Sequence, residues 1–284
     1  MGYREPPAIF CEVDHISLGI ALRRLQDCSY SGGRICHDAG IVALSAGAGG
    51  RSMLAGMSMQ DIGALLRSIA KLVLQRGVER SYSQDGEDLL VGALLRGSKG
   101  IYLDIGAYHP VLYSNTYSFY KKGWQGVVVD PNAALSPLYR WLRPRDRFIH
   151  AAVAAKEGNA EYFRFSDGAY NTLSSAETEE RKQNRHIRYL GSESVSVRPL
   201  AQIIKDAQLS RIDFLSVDVE GLDVEVLESH DWVLRPEVIA IEDNGFDAHE
   251  PASSRAFVFL TEKGYRLVAF SPRTLIFKSK ESMV

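Results

Sequence analysis

Gly100-Ile-Tyr-Leu-Asp-Ile-Gly-Ala-Tyr-His-Pro110 joins a short apolar run, one carboxylate and a glycine. A buried parallel strand has this form when it delivers Asp104 and a tight turn at Gly106 to the carboxyl edge of a sheet. Open α/β sheets bind ligands at that edge, and a glycine lets the backbone approach them closely. Gly126-Val-Val-Val-Asp130 repeats the pattern one helix further along. An acidic residue closing the second strand of such a unit is placed to accept hydrogen bonds from both ribose hydroxyls. Two readings stand at this point. Either the strands hold a nucleotide, or they are plain core strands whose aspartates cap the helices that follow.

With 284 residues, 45% of them hydrophobic, the chain can bury a substantial core in one main domain. A net charge of −2 argues against a dedicated nucleic-acid binder, which carries a basic excess. No apolar run is long enough to span a bilayer, and the amino terminus lacks the charged-then-apolar layout of a secretory signal. Cys11, Cys28 and Cys36 are odd in number and form neither a disulfide framework nor zinc-type spacing. A cytoplasmic protein is the expectation.

Residues 1–58 form a poorly defined extension with little periodicity, in which Ile41–Leu44 could add a strand. Met53, Met57 and Met59 precede the sharper pattern, and one expectation is that translation starts at one of them. Gln60–Arg76 reads as an amphipathic helix with Ile62, Leu65, Leu66, Ile69, Leu72 and Val73 on one face. It would pack on the domain, on a partner subunit in a homo-oligomer, or on a membrane surface. Residues 59–96 are expected as a helical cap, and 97–284 as the core. Within the cap, Ser83 or Asp85 caps a helix that includes Leu89–Leu95, or this polar stretch forms a lid.

Beyond Asp130, Arg147–Val153 reads as a third parallel strand and Glu161–Phe165 as an added one; residues 166–193 read as irregular. The cluster Arg181, Lys182, Arg185, His186 and Arg188 is either a solvated face or a grip for an anionic substrate. Strands Ile212–Val217 and Val238–Ile241 end in Asp218-Val-Glu-Gly221 and Glu242-Asp-Asn-Gly245. Tyr265–Phe270 and Thr274–Phe277 close the chain as a hairpin. The sum is an α/β doubly wound sheet, mostly parallel, with a carboxyl-terminal antiparallel hairpin. That hairpin, and the lack of Gly-x-Gly-x-x-Gly, set the chain apart from nicotinamide dehydrogenases.

Several motifs now fall in order: Tyr82-Ser-Gln-Asp-Gly-Glu87, Leu103-Asp-Ile-Gly-Ala107, Ser114-Asn115, Gly123-Trp-x-Gly126 leading to Val129-Asp-Pro-Asn132, and Asp218-Val-Glu-Gly221. Together they resemble the FkbM family of methyltransferases, from about Met59 to about Phe277. The resemblance implies a class I Rossmann-like methyltransferase that moves a methyl group from S-adenosylmethionine to a hydroxyl. The acceptor would be a small molecule of polyketide type, a sugar or a glycoconjugate. It places Asp104 and Gly106 beside the amino-acid part of the cofactor and Asp130 at the ribose. Gln84, Asn115 and Asn132 join the cofactor set by the same resemblance. Tyr108-His109-Pro110 departs from the Asn-x-Gly frequent in this family, so the turn there differs. A non-catalytic cofactor-binding or scaffold protein with this fold is the alternative.

Methyl transfer from a sulfonium needs alignment and removal of the hydroxyl proton, by a base or with a metal ion. Asp218 with Glu220 after one strand, and Glu242, Asp243 and Asn244 after the next, offer hard oxygen donors suited to Mg²⁺. This also resembles the metal site of catechol-type and macrolide-sugar methyltransferases, with Asp218, Asp243 and Asn244 as ligands. The competing reading has Asp218 and Glu220 capping a helix and Asp243-Asn-Gly making a turn. Without a metal, His109 is the first candidate base and Asp218 the second catalytic residue. Tyr170, Asn171 and the 181–188 cluster are the expected acceptor contacts.

Overall fold

The computed structural model describes residues 58–73, 79–95, 97 and 99–283. The expected strand Ile41–Leu44, the candidate starts Met53 and Met57, and the last turn of the Gln60–Arg76 helix lie outside these residues. The chain divides into a first unit, Met1–Val78, and a second, Glu79–Val284. The division thus falls at Val78, which puts the amphipathic helix and residues 79–95 in different units. In the first unit, helix α1 (Met59–Val73) starts with a reciprocal cap: Ser58 Oγ accepts the Asp61 N–H and Asp61 Oδ2 accepts the Ser58 N–H, each at 3.2 Å.

Among the described residues, the strands all lie in the second unit. Helix α2 (Glu87–Leu94) leads into β1 (Ile101–Ile105), α3 (Tyr117–Lys121), β2 (Gln125–Asp130), α4 (Ser136–Leu142) and β3 (Arg147–His150). After β4 (Ala152–Val153), β5 (Gly158–Phe165), α5 (Ser175–Arg181) and β6 (Tyr189–Arg198) come α6 (Leu200–Asp206) and β7 (Phe214–Val217). The chain closes with α7 (Asp223–Glu228), β8 (Val238–Glu242), α8 (Arg255–Glu262), β9 (Tyr265–Phe270) and β10 (Thr274–Ser279).

Seven strands form one sheet in the order β3-β2-β1-β7-β8-β10-β9. All neighbours are parallel except β10, which runs antiparallel to both β8 and β9. The continuous apolar runs follow from burial on both faces. Leu103, Ile105, Val127, Val129 and Leu215 face one core; Tyr102, Val128, Phe214 and Val238 face the other. From β1 the chain winds outward through β2 and β3, then returns to add β7 on the opposite side. The crevice at this reversal is where such a sheet offers a binding site. The doubly wound, Rossmann-like sheet with its closing hairpin is therefore as expected.

Two expectations need correction. Arg147–Val153 is not one strand: it breaks after His150, and Ala152–Val153 pairs with β6. Residues 166–193 are not irregular throughout. They hold α5 and the first half of β6, a ten-residue strand antiparallel to β5 in a separate sheet of order β4-β6-β5. Only Val195 and Val197 of β6 are buried, so its exposed first half gives no apolar alternation to read.

Candidate functional site

A cavity of about 400 Å³ opens at the carboxyl ends of β1, β2, β7 and β8. Gly106, at the end of β1, has φ +78, and a Cβ there would lie 1.6 Å from the Asp218 carbonyl oxygen. Glycine is thus required by the meeting of two strand ends, as well as leaving the cavity wall open. Asp130 lies in the same wall. Its Oδ2 accepts the Tyr108 N–H at 2.9 Å and its Oδ1 the Asn132 N–H at 2.7 Å. Burial pushes its pKa up to about 7 against the pull of those two donors. Ala152, Val153 and Tyr162 line the cavity alongside it. A carboxylate beside an apolar, aromatic wall suits a ribose and a purine, so these residues fit a nucleoside cofactor.

The other expected cofactor residues separate into two groups. Gln84 and Asn115 line the cavity, and Asn115 Nδ2 donates to Ser216 Oγ at 3.2 Å. Asp104 and Asn132 do not. Asp104 lies behind the turn, where its Oδ2 accepts from Thr116 Oγ1 at 2.5 Å and burial raises its pKa. Asn132 Oδ1 accepts the Ala134 N–H at 3.1 Å and caps a short 3-10 turn.

His109 also stands outside the cavity wall. Its Nδ1 accepts the N–H groups of Val111 and Leu112, both at 3.0 Å, and burial lowers its pKa. With that lone pair committed to the turn, its visible role is to shape residues 109–112. His150, at the end of β3, is tied through Nε2 to the Pro131 carbonyl at 2.8 Å. Of the two expected catalytic residues, only Asp218 reaches the cavity.

Oxygens of Asp218, Asp223 and Glu242 lie within 4.8 Å of one another. Of the three residues expected as metal ligands, Asp218 alone belongs to this group. Asp243 turns away: Oδ2 accepts from Ser254 Oγ at 2.5 Å and Oδ1 from the Gly245 N–H at 3.2 Å. Asn244 donates its side-chain amide to Glu242 Oε1 at 2.9 Å. Asp223 was hidden within a helix pattern, and its two oxygens also accept the N–H groups of Val219 and Gly221, at 2.9 and 3.2 Å. Burial, then the negative charge of Glu242, raises the pKa of both Asp218 and Asp223. Burial likewise lifts Glu220 to about 7, although Arg181 pulls it down.

Tyr170 and Asn171 both line the cavity, and Asn171 Oδ1 anchors its loop by accepting the Phe165 N–H at 2.8 Å. In the basic cluster, Lys182, Arg185, His186 and Arg188 are exposed. Arg181 alone turns inward, its Nη2 on Glu220 Oε2 at 2.5 Å.

The strand order, the antiparallel β10 and a nucleoside-type cavity at the reversal define a Rossmann-like fold of the class I methyltransferase kind. The sequence matches the Methyltransferase FkbM domain over residues 104–267. That is more than half of the chain, and the chain belongs to this family. A methyltransferase FkbM from Methylobacillus flagellatus KT is similar at 13% identity and TM-score 0.42, over 69% of this chain and 48% of that one. This chain thus spans about half the length of that structure. A second similar structure is the 1,6-didemethyltoxoflavin-N1-methyltransferase of Burkholderia thailandensis, with bound 1,6-didemethyltoxoflavin and S-adenosylhomocysteine. It is 16% identical at TM-score 0.34, over 87% of this chain and 99% of that one. No curated protein matches the sequence. Among the described residues, no helix is long and apolar enough to cross a membrane.

Proposed function

We propose that the protein is an S-adenosylmethionine-dependent O-methyltransferase acting on a hydroxyl of a sugar, glycoconjugate or polyketide-type molecule. One observation carries the reading: Asp130 and the acidic ends of β7 and β8 line a single cavity. A nucleoside-binding half and a proton-accepting half therefore face each other. When bound, the cofactor supplies a methyl group already activated on a sulfonium.

The chain's own residues must then hold, orient and deprotonate. Asp130 takes the ribose hydroxyls; Gln84 and Asn115 orient the remainder of the cofactor. Asp218 receives the acceptor's proton, since burial beside other carboxylates raises its affinity for one. Asp218, Asp223 and Glu242 are also the hard-oxygen set available to a Mg²⁺ ion, which would polarise the hydroxyl instead.

Calorimetric titration with S-adenosylmethionine, with Mg²⁺ and then with a chelator, tests both parts. Wild type is expected to bind, and Asp130→Ala to lose binding while remaining folded. Equal binding by the variant would remove Asp130 from the site, and no binding by folded wild type would remove the methyltransferase reading. A Mg²⁺ signal lost in Glu242→Gln assigns the metal, whereas methyl transfer that persists in chelator and is lost in Asp218→Asn, measured by turnover assay, assigns Asp218 as base.

A further inference from the structure

Four tyrosines line the cavity: Tyr108, Tyr113, Tyr162 and Tyr170. Three of them are engaged by the protein itself. The Tyr108 hydroxyl donates to Asp167 Oδ1 at 3.4 Å, Tyr162 is buried, and the Arg181 guanidinium lies 5.9 Å from the centre of the Tyr170 ring. Tyr113 is different. It is 61% exposed, and among the described residues its ring meets no other ring or cation and its hydroxyl makes no hydrogen bond.

Its backbone is costly as well. At φ +56, Tyr113 lies in the left-handed region, which a bulky side chain rarely adopts and which glycine or asparagine would occupy with less strain. That conformation is imposed from both sides. Before it, His109 Nδ1 accepts the N–H groups of Val111 and Leu112; after it, the Ser114 N–H donates to the Tyr82 carbonyl at 3.0 Å. Ser114 Oγ accepts from the buried Arg143 at 3.2 Å, and the Tyr82 N–H donates to the buried Asp88 at 3.0 Å. A rigid rim therefore holds a strained, uncovered ring at the edge of the cavity. Strain of this kind gathers at ligand clamps, where the ligand supplies the contact that the protein lacks.

The ring's surroundings define what would cover it. A wholly apolar acceptor laid on one ring at an open rim would keep most of its surface in water. A sugar fits better. Its C–H groups, polarised by the neighbouring oxygens, meet the negative face of the tyrosine ring. Its hydroxyls stay hydrated or reach the free Tyr113 hydroxyl, which can both donate and accept.

We propose that Tyr113 is the acceptor-binding platform of the methyl transfer proposed above, on which this inference rests, and that it selects a sugar ring. The C–H face of the sugar lies on the tyrosine, and one hydroxyl turns inward to the donor.

The test is calorimetry with saturation-transfer NMR on the full chain saturated with S-adenosylhomocysteine. The probes are the methyl glycosides of glucose, galactose and mannose, with catechol as a planar control. At least one glycoside is expected to bind more tightly than catechol, with saturation reaching its ring C–H protons. Tyr113→Ala should weaken that glycoside about three- to tenfold, the scale of one aromatic contact, and Tyr113→Phe should weaken it less. S-adenosylhomocysteine should bind all variants alike. Tyr113→Asn should lose the sugar as Tyr113→Ala does, while its melting temperature stays level or rises because the strain is relieved. Unchanged sugar affinity in Tyr113→Ala overturns the inference, as does catechol binding more tightly than every glycoside. A clear fall in the melting temperature of Tyr113→Asn would make the ring a packing residue and overturn it too. So would the absence of any glycoside binding while S-adenosylhomocysteine binds. If S-adenosylhomocysteine itself fails to bind, the cavity is misassigned and the proposed function falls first, taking the platform with it.

Discussion

Arg143 is fully buried, yet every part of its guanidinium is met. Its Nε lies 2.6 Å from Asp146, its Nη2 donates to the Tyr102 hydroxyl at 3.0 Å and to Thr116 Oγ1 at 2.9 Å, and its Nη1 reaches Ser114 Oγ at 3.2 Å. The rings of Tyr102, Tyr120 and Tyr139 surround it at 5.3, 5.5 and 5.3 Å. Through Thr116 the network ends on Asp104, which explains why that aspartate lies behind the turn rather than in the cavity. Arg143→Met should cost about 3–5 kcal/mol, because it leaves the buried Asp146 without its cation. Urea denaturation measures this, and a loss under about 1 kcal/mol would refute the account, being the scale of an exposed pair. Asp130 was legible in the sequence because it closes an unbroken apolar run, Gly126-Val-Val-Val, which marks a buried strand and so fixes where its last residue lies. Arg143 was not, since it begins a charged loop, Arg143-Pro-Arg-Asp-Arg147, in which nothing marks the guanidinium that turns inward.

At the scale of elements, the polar segment before α2 is a connector between distant parts of the chain. Glu87 is 2% exposed; its Oε1 accepts from Ser271 Oγ at 2.9 Å and Thr274 Oγ1 at 3.4 Å, while Oε2 accepts the Asp85 N–H at 2.9 Å. Arg273 adds two contacts to Asp85, both at 3.0 Å, but its side chain is 43% exposed. Removing Glu87 strands buried donors, at a cost of about 1–3 kcal/mol, whereas the half-exposed pair is worth under about 1 kcal/mol. Glu87→Ala should therefore destabilise more than Arg273→Ala in urea unfolding, and the reverse order would contradict the burial argument. Of the two expected caps, Ser83 does accept the Asp88 N–H at 3.2 Å. Asp85 is drawn instead to the hairpin, a partner that local spacing cannot reveal. The same limit applies to β6. Parallel strands with both faces buried announced themselves as apolar runs, but a strand with an exposed first half did not.

Across the whole molecule, one edge of the sheet concentrates carboxyls that burial makes reluctant to ionise. Asp130 and Glu220 are pushed to about 7 from ordinary values of 3.8 and 4.5, and Asp218, Asp223 and Glu242 move in the same direction. A carboxyl with a raised folded pKa binds its proton more tightly in the folded state. Its contribution to stability is complete below the unfolded value and is lost as pH rises through the folded one. His230 has the opposite slope: burial lowers it from 6.5 to about 4, so it stabilises above 6.5 and loses that contribution as pH falls toward 4. Burial lowers His109 as well. At pH 6.5 an unfolded histidine is still half protonated, so the histidine slope offsets part of the carboxyl slope up to about pH 7.5, but two carboxyls pushed to about 7 outweigh it. Between pH 6.5 and 8, Asp130 and Glu220 together should cost the cofactor-free protein about 1–2 kcal/mol. The melting temperature should accordingly be higher at pH 6.5 than at pH 8, and Asp130→Asn should remove about half of the difference. A ligand whose hydroxyl or ammonium groups meet these carboxylates restores the solvation they lack, so it should raise the pH 8 melting temperature more than the pH 6.5 one. Melting curves at the two pH values, with and without S-adenosylmethionine, decide the matter. A flat or inverted dependence in the cofactor-free protein would mean that these carboxylates ionise as freely folded as unfolded, and that the cavity does not hold the electrostatic strain from which its chemistry is argued.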